Sequence, residues 1–173
     1  KAAIQLISQL MGACLLAALC GCRGAEDPQD AGSFSDVTAS FGIDFSLVNG
    51  ATGERFVNET MVGGAGWIDY DGDGWLDLYL ANGHEASSAA EKPGTAGNRL
   101  YRNLSGGGFE DVTAKAGVGD RRYSNGVAVA DYDNDGDQDL FVANVGRNTL
   151  YRNRGDGSFE DVTAGAGLER EGF

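Results

Sequence analysis

The sequence predicts an all-β chain made of repeated four-stranded antiparallel units. Three observations point to this. A nine-residue acidic phrase occurs twice, as Asp69 to Asp77 and as Asp131 to Asp139. A second phrase, N-x-L-Y-R-N, also occurs twice, from Asn98 to Asn103 and from Asn148 to Asn153. Glycine is abundant at 28 residues and proline scarce at 2, which suits short strands joined by tight turns.

In chain order, residues 4–19 are mainly apolar and lead into Leu19-Cys20-Gly21-Cys22. The run is short for a membrane span and reads as the hydrophobic core of an export signal occupying residues 1–22. The ending resembles a bacterial lipoprotein signal, in which a small residue precedes the lipid-bearing cysteine. That makes Cys22 the expected lipidation site, ahead of Cys20, which follows the bulky Leu19. The competing reading is a buried apolar helix. With Cys14, the three cysteines all fall in this segment, so none is left for a disulfide or zinc site in the body. Residues 23–32 are polar and turn-rich and read as a tether.

Residues 33–173 carry the repeats. The phrase Phe34-Ser35-Asp36-Val37-Thr38 returns as Phe109-Glu110-Asp111-Val112-Thr113 and as Phe159-Glu160-Asp161-Val162-Thr163. Each of the last two follows its N-x-L-Y-R-N phrase across five residues, which predicts a hairpin. The acidic phrases are flanked by strand-length runs: Ala65–Ile68 and Leu78–Ala81, then Val127–Ala130 and Leu140–Ala143. The hairpin phrase recurs at 50 residues and the acidic phrase at 62, so a 12-residue insertion lies between Asn82 and Gly97. Four antiparallel strands per repeat is the unit of a β-propeller blade.

Both acidic phrases read D-Y-D-x-D-G-x-x-D. Closely spaced carboxylates repel unless a cation neutralises them, and an all-oxygen set selects a hard cation, calcium above magnesium. Asp69, Asp71 and Asp73 hold positions 1, 3 and 5, with Gly74 making the turn. Trp75 would offer its backbone carbonyl and Asp77 a direct or water-mediated oxygen. Asp131, Asp133, Asp135, Asp137 (backbone) and Asp139 repeat these roles around Gly136. An EF-hand would place Glu at position 12 between helices; here the residue is Leu80 or Val142 and the flanks are strands. One such loop could be a solvated acidic turn. Two at the same place in a repeat point to two calcium sites that hold hairpins in shape.

The formal charge is −13, yet nine of the 26 acidic residues lie in the two loops, leaving 17 against 13 basic residues elsewhere. No basic face is offered to nucleic acid, and membrane attachment would be through the lipid anchor alone.

These motifs resemble the FG-GAP/VCBS repeats of integrin-alpha-type β-propellers. The stretch from Val48 to Gly53, with Glu59 to Ala65, further resembles the first blade of bacterial proteins similar to cartilage acidic protein, which often end in an ASPIC/UnbV domain. The resemblance implies an exported, surface-attached or periplasmic ring of about seven calcium-bearing blades. About two blades and part of a third are expected here. A third acidic loop would fall near position 181, beyond Phe173, so the chain is expected to be a piece of a longer protein, with no ASPIC/UnbV segment visible.

Two functional classes fit. One is a non-catalytic module binding an extracellular protein or carbohydrate. The other is the propeller part of a calcium-dependent extracellular enzyme such as a polysaccharide lyase. His84 lies in the insertion without catalytic partners. Ser124 and Asn125 carry no nucleophile signature. Trp67 and Trp75, or the repeated Tyr101/Arg102 and Tyr151/Arg152, offer a contact face, with packing between blades the plainer role.

Overall fold

The computed structural model describes residues 34–51, 53, 57–83 and 96–169. The expected export signal and tether, the three cysteines, His84 and most of the expected insertion lie outside the described residues.

The chain is all-β, with two four-stranded antiparallel sheets whose strands follow sequence order. The first holds β1 (Gly64–Ile68), β2 (Asp77–Ala81), β3 (Arg99–Asn103) and β4 (Phe109–Asp111). The second holds β5 (Ser124–Ala130), β6 (Asp139–Asn144), β7 (Thr149–Asn153) and β8 (Phe159–Asp161). Each acidic phrase joins the first two strands of its sheet. Each N-x-L-Y-R-N phrase supplies the third strand, and each F-E-D the fourth. Registers correspond: Tyr101 faces Asp111 as Tyr151 faces Asp161. Among the described residues helix is confined to two single turns, α1 (Val57–Thr60) and α2 (Thr113–Ala116), the latter ended by Gly117 in the left-handed region.

The first copy of the F-x-D-V-T phrase differs from the others. Phe34 to Asp36 carries no strand. A strand needs a partner ladder, and no N-x-L-Y-R-N phrase precedes Phe34 to supply one. The turn that follows is kept in all three copies: Ile43, Val118 and Leu168 donate N–H bonds to the carbonyls of Thr38, Thr113 and Thr163.

Period-two alternation sends one face of each sheet inward. In β2, Asp77, Tyr79 and Ala81 are buried while Leu78 and Leu80 are half-buried. Ile68, Tyr70, Tyr79 and Leu100 from the first repeat meet Leu140, Val142, Tyr151 and Phe159 from the second. Val112, Ala116 and Val118 close this core. Each large apolar side chain contributes roughly 1.5–3 kcal/mol by leaving water. The sheets therefore bury their faces against each other.

Glycine permits the approach. A Cβ on Gly64 would lie 2.9 Å from Gly126 Cα and 3.2 Å from the Val127 nitrogen, neither of which can rotate away. A Cβ on Gly66 would lie 2.9 Å from Val127 Cγ1. Gly64→Ala is thus expected to destabilise the chain by about 1–3 kcal/mol. The measurement is the urea midpoint at constant m-value; an unmoved midpoint would mean that the sheets are not in this contact.

Candidate metal centres

Each acidic loop is the turn of a hairpin, and its residue types set the course of the backbone. In the first loop Gly72 and Gly74 have φ of +70° and +85°; in the second Asn134 and Gly136 have φ of +61° and +101°. Glycine and asparagine tolerate this region best, so position 4 is constrained as well as position 6. The D-Y-D-x-D-G-x-x-D motif leaves position 4 open. The signal for this constraint is the Gly/Asn pair at 72 and 134.

With the turn set, the loop amides point inward onto the carboxylates. Gly74 N–H donates to Asp69 Oδ2 at 3.0 Å, and Gly136 N–H to Asp131 Oδ2 at 3.0 Å. Trp75 N–H donates to Asp73 Oδ1 at 2.9 Å, and Asp137 N–H to Asp135 Oδ1 at 3.0 Å. Asp77 and Asp139 are almost fully buried and doubly bonded. Asp77 accepts from Tyr70 N–H at 3.0 Å and Asn103 N–H at 2.8 Å. Asp139 accepts from Tyr132 N–H at 2.9 Å and Asn153 N–H at 2.8 Å. The last aspartate of each loop thus ties the loop's start to the third strand of the same sheet.

Asp69, Asp71 and Asp77 each offer an oxygen within 4.8 Å of the others, and so do Asp131, Asp133 and Asp139. Asp73 and Asp135 fall outside these groups. The Asp73 carboxylate is turned to Trp75 N–H and to Arg102. Asp69 Oδ1 and Asp71 Oδ1 are buried without a hydrogen-bond partner. Two buried, unpaired carboxylate oxygens beside a buried third carboxylate are what a hard cation would satisfy, so the residues present fit calcium. Burial raises the Asp77 pKa above the usual aspartate value, against the two backbone N–H bonds that lower it. Asp133 is raised by desolvation and then by the charges of Asp135, Asp139 and Asp131, against the charge of Arg152, which lowers it. A bound divalent ion would relieve both penalties.

The loops also touch across the repeats. Asp69 N–H donates to Gln138 Oε1 at 2.9 Å, and Asn153 Nδ2 donates to the Tyr70 carbonyl at 2.9 Å. The Tyr70 ring stacks on Phe159 at 6.4 Å. Sequence reasoning missed Gln138, Asn103 and Asn153. For the asparagines the signal was present: both close an N-x-L-Y-R-N phrase.

The other candidates divide. Tyr101 and Tyr151 are buried, which fits packing. Ser124 Oγ donates to Asn144 Oδ1 at 2.7 Å inside a buried polar cluster. Trp67 and Trp75 are about half exposed and, with Leu76, Asn103 and Phe109, line an open cleft beside the first loop. Val127 and Val129, the second repeat's counterparts of Ala65 and Trp67, cover Gly66 of the first repeat.

Comparison with known families bears on this geometry. The model of the FG-GAP-like repeat family matches residues 69–142 and again residues 131–171. No curated protein matches the chain.

Proposed function

The chain belongs to the FG-GAP-like repeat family, and on that premise we propose that it is a calcium-binding, non-catalytic β-propeller module. It binds one calcium ion in each acidic loop and presents a surface to an extracellular protein or carbohydrate. The observation that carries the cation reading is the pair of matched aspartate groups, with Asp69 Oδ1 and Asp71 Oδ1 of the first buried and without a hydrogen-bond partner.

The propeller reading rests on the two faces of a repeat. One face of β1 is glycine-rich, and it receives Val127 and Val129 from the next repeat. Trp67 holds the place of Val129 on the first repeat, so it is suited to cover the glycine face of another repeat. Serial stacking of this kind leads to a ring. The finer likeness to cartilage acidic protein-like chains, export, and attachment through Cys22 complete the proposal and rest on the sequence motifs.

Calorimetric titration with calcium tests the cation reading. Two binding events are expected, with magnesium far weaker, and the melting temperature should fall on chelation. A ligand at 100 times its Kd adds about 2.7 kcal/mol per site. Absence of both heat and thermal shift would sink the assignment.

A further inference from the structure

The two acidic loops share a motif but not a charge environment. In the first loop Arg102 lies against two aspartates: its Nε is 2.7 Å from Asp71 Oδ2, and its terminal nitrogen is 3.0 Å from Asp73 Oδ2. The Nε–H is not aligned for a hydrogen bond, so the Asp71 contact is Coulombic, whereas the Asp73 contact is a hydrogen bond. In the second repeat the equivalent Arg152 turns to Glu160 at 2.8 Å, and Arg154 approaches the same carboxylate at 3.5 Å. Arg102 has a carboxylate opposite it too, since it faces Glu110 as Arg152 faces Glu160. The difference is therefore not a lack of partners. Arg154 has Leu104 as its counterpart, so Glu160 draws two guanidinium groups where Glu110 has one candidate.

The consequences differ for the two loops. In the first, the outer oxygens are held from outside: Asp69 Oδ2 by Gly74 N–H, Asp71 Oδ2 by Arg102, and Asp77 by two backbone N–H groups. The inner oxygens of Asp69 and Asp71 remain free. A guanidinium shared by two carboxylates offsets part of their repulsion. In the second loop, among the described residues, no ion pair reaches Asp131, Asp133, Asp135, Asp137 or Asp139. Five aspartates there repel one another, and backbone N–H bonds with the more distant charge of Arg152 on Asp133 compensate only in part.

We infer that Arg102 is a positioning residue which stands in for part of the cation's charge, so that the first loop keeps its ligand geometry without an ion while the second acquires it only when a divalent cation binds. This rests on the cation reading above. It makes the second loop the calcium-responsive element and the first a standing brace. Metal binding at the second loop is then coupled to ordering, and at the first it is not.

Amide hydrogen exchange on the whole chain, in calcium and in chelator, tests this. The probes are Gly74 and Trp75 in the first loop and Gly136 and Asp137 in the second, with the β2 and β6 amides as a folding reference. Chelation is expected to speed exchange at Gly136 and Asp137 by about tenfold or more, and at Gly74 and Trp75 by less than about threefold. Arg102→Gln should make the first loop respond like the second. Arg102→Lys, which keeps the charge, should retain most of the wild-type behaviour, and Arg152→Gln, whose charge reaches Asp133 only from a distance, should change the second loop's response by far less than Arg102→Gln changes the first's. Equal responses of the two loops in the wild-type chain, or an unchanged first loop in Arg102→Gln, would overturn the inference while leaving calcium binding intact. No response at any probe, with no calorimetric heat, would overturn both.

Discussion

Asp77→Ala is expected to lower stability by about 2–4 kcal/mol even in chelator, because two buried donors lose their acceptor at once. Tyr70 N–H and Asn103 N–H both end on this carboxylate, and the side chain is fully buried. Water cannot replace it without opening the hairpin. Asp77→Asn keeps one acceptor oxygen but sets an amide N–H₂ against the second donor, so an intermediate loss is expected. In calcium both variants should also lose the first-loop site and leave the second intact. The control is Asp73→Ala. Asp73 is more exposed and bonded to Trp75 N–H and Arg102, so removing it should cost less than about 1 kcal/mol in chelator. Chemical denaturation of the three variants, with and without calcium, is the measurement. Equal losses at Asp73 and Asp77 in chelator would show that burial does not rank them.

That contrast marks how far the sequence could be read. The D-Y-D-x-D-G-x-x-D spacing identified the loop, its strand flanks and its candidate oxygens. It treated Asp73 and Asp77 as similar ligands, because spacing carries no information on burial. Asp77 also opens β2, so its side chain follows the inward face of that strand together with Tyr79 and Ala81. In the sequence Arg102 reads, with Tyr101, as part of a contact face. Its turn toward Asp71 and Asp73 depends on how β3 crosses β2, which a linear pattern does not encode. The four strands of each repeat were legible because their alternation and turn residues agree at every level. The Phe34 copy failed as a strand for a non-local reason, the lack of a neighbouring strand to pair with.

The second large effect is expected at Asn98, at the opposite ends of the strands from the acidic loops. Asn98 is fully buried and bonded on all sides. Its Oδ1 accepts from Asn82 N–H at 2.7 Å, its Nδ2 donates to Tyr79 Oη at 3.1 Å and Ser124 Oγ at 3.0 Å, and its own N–H reaches the Asp120 carbonyl at 2.7 Å. Tyr79 Oη in turn donates to the Val118 carbonyl, and Ser124 Oγ to Asn144 Oδ1. The first asparagine of the N-x-L-Y-R-N phrase thus joins the end of β2 to the start of β5, as the last asparagine of the second copy joins the loops. Asn98→Ala leaves three buried polar groups short of a partner and should cost about 2–4 kcal/mol. Asn98→Asp keeps the Oδ1 acceptor but loses both side-chain donors and buries a charge, so at neutral pH it should be at least as damaging. Asn148 is the internal reference. It makes the matching bond from Asn144 N–H at 3.0 Å but is only half-buried, so Asn148→Ala should cost about 1 kcal/mol. Thermal and urea unfolding would rank the three. If Asn98→Ala were no worse than Asn148→Ala, the polar cluster would not be what holds the two repeats together at this end, and the glycine contact and shared apolar core would have to suffice.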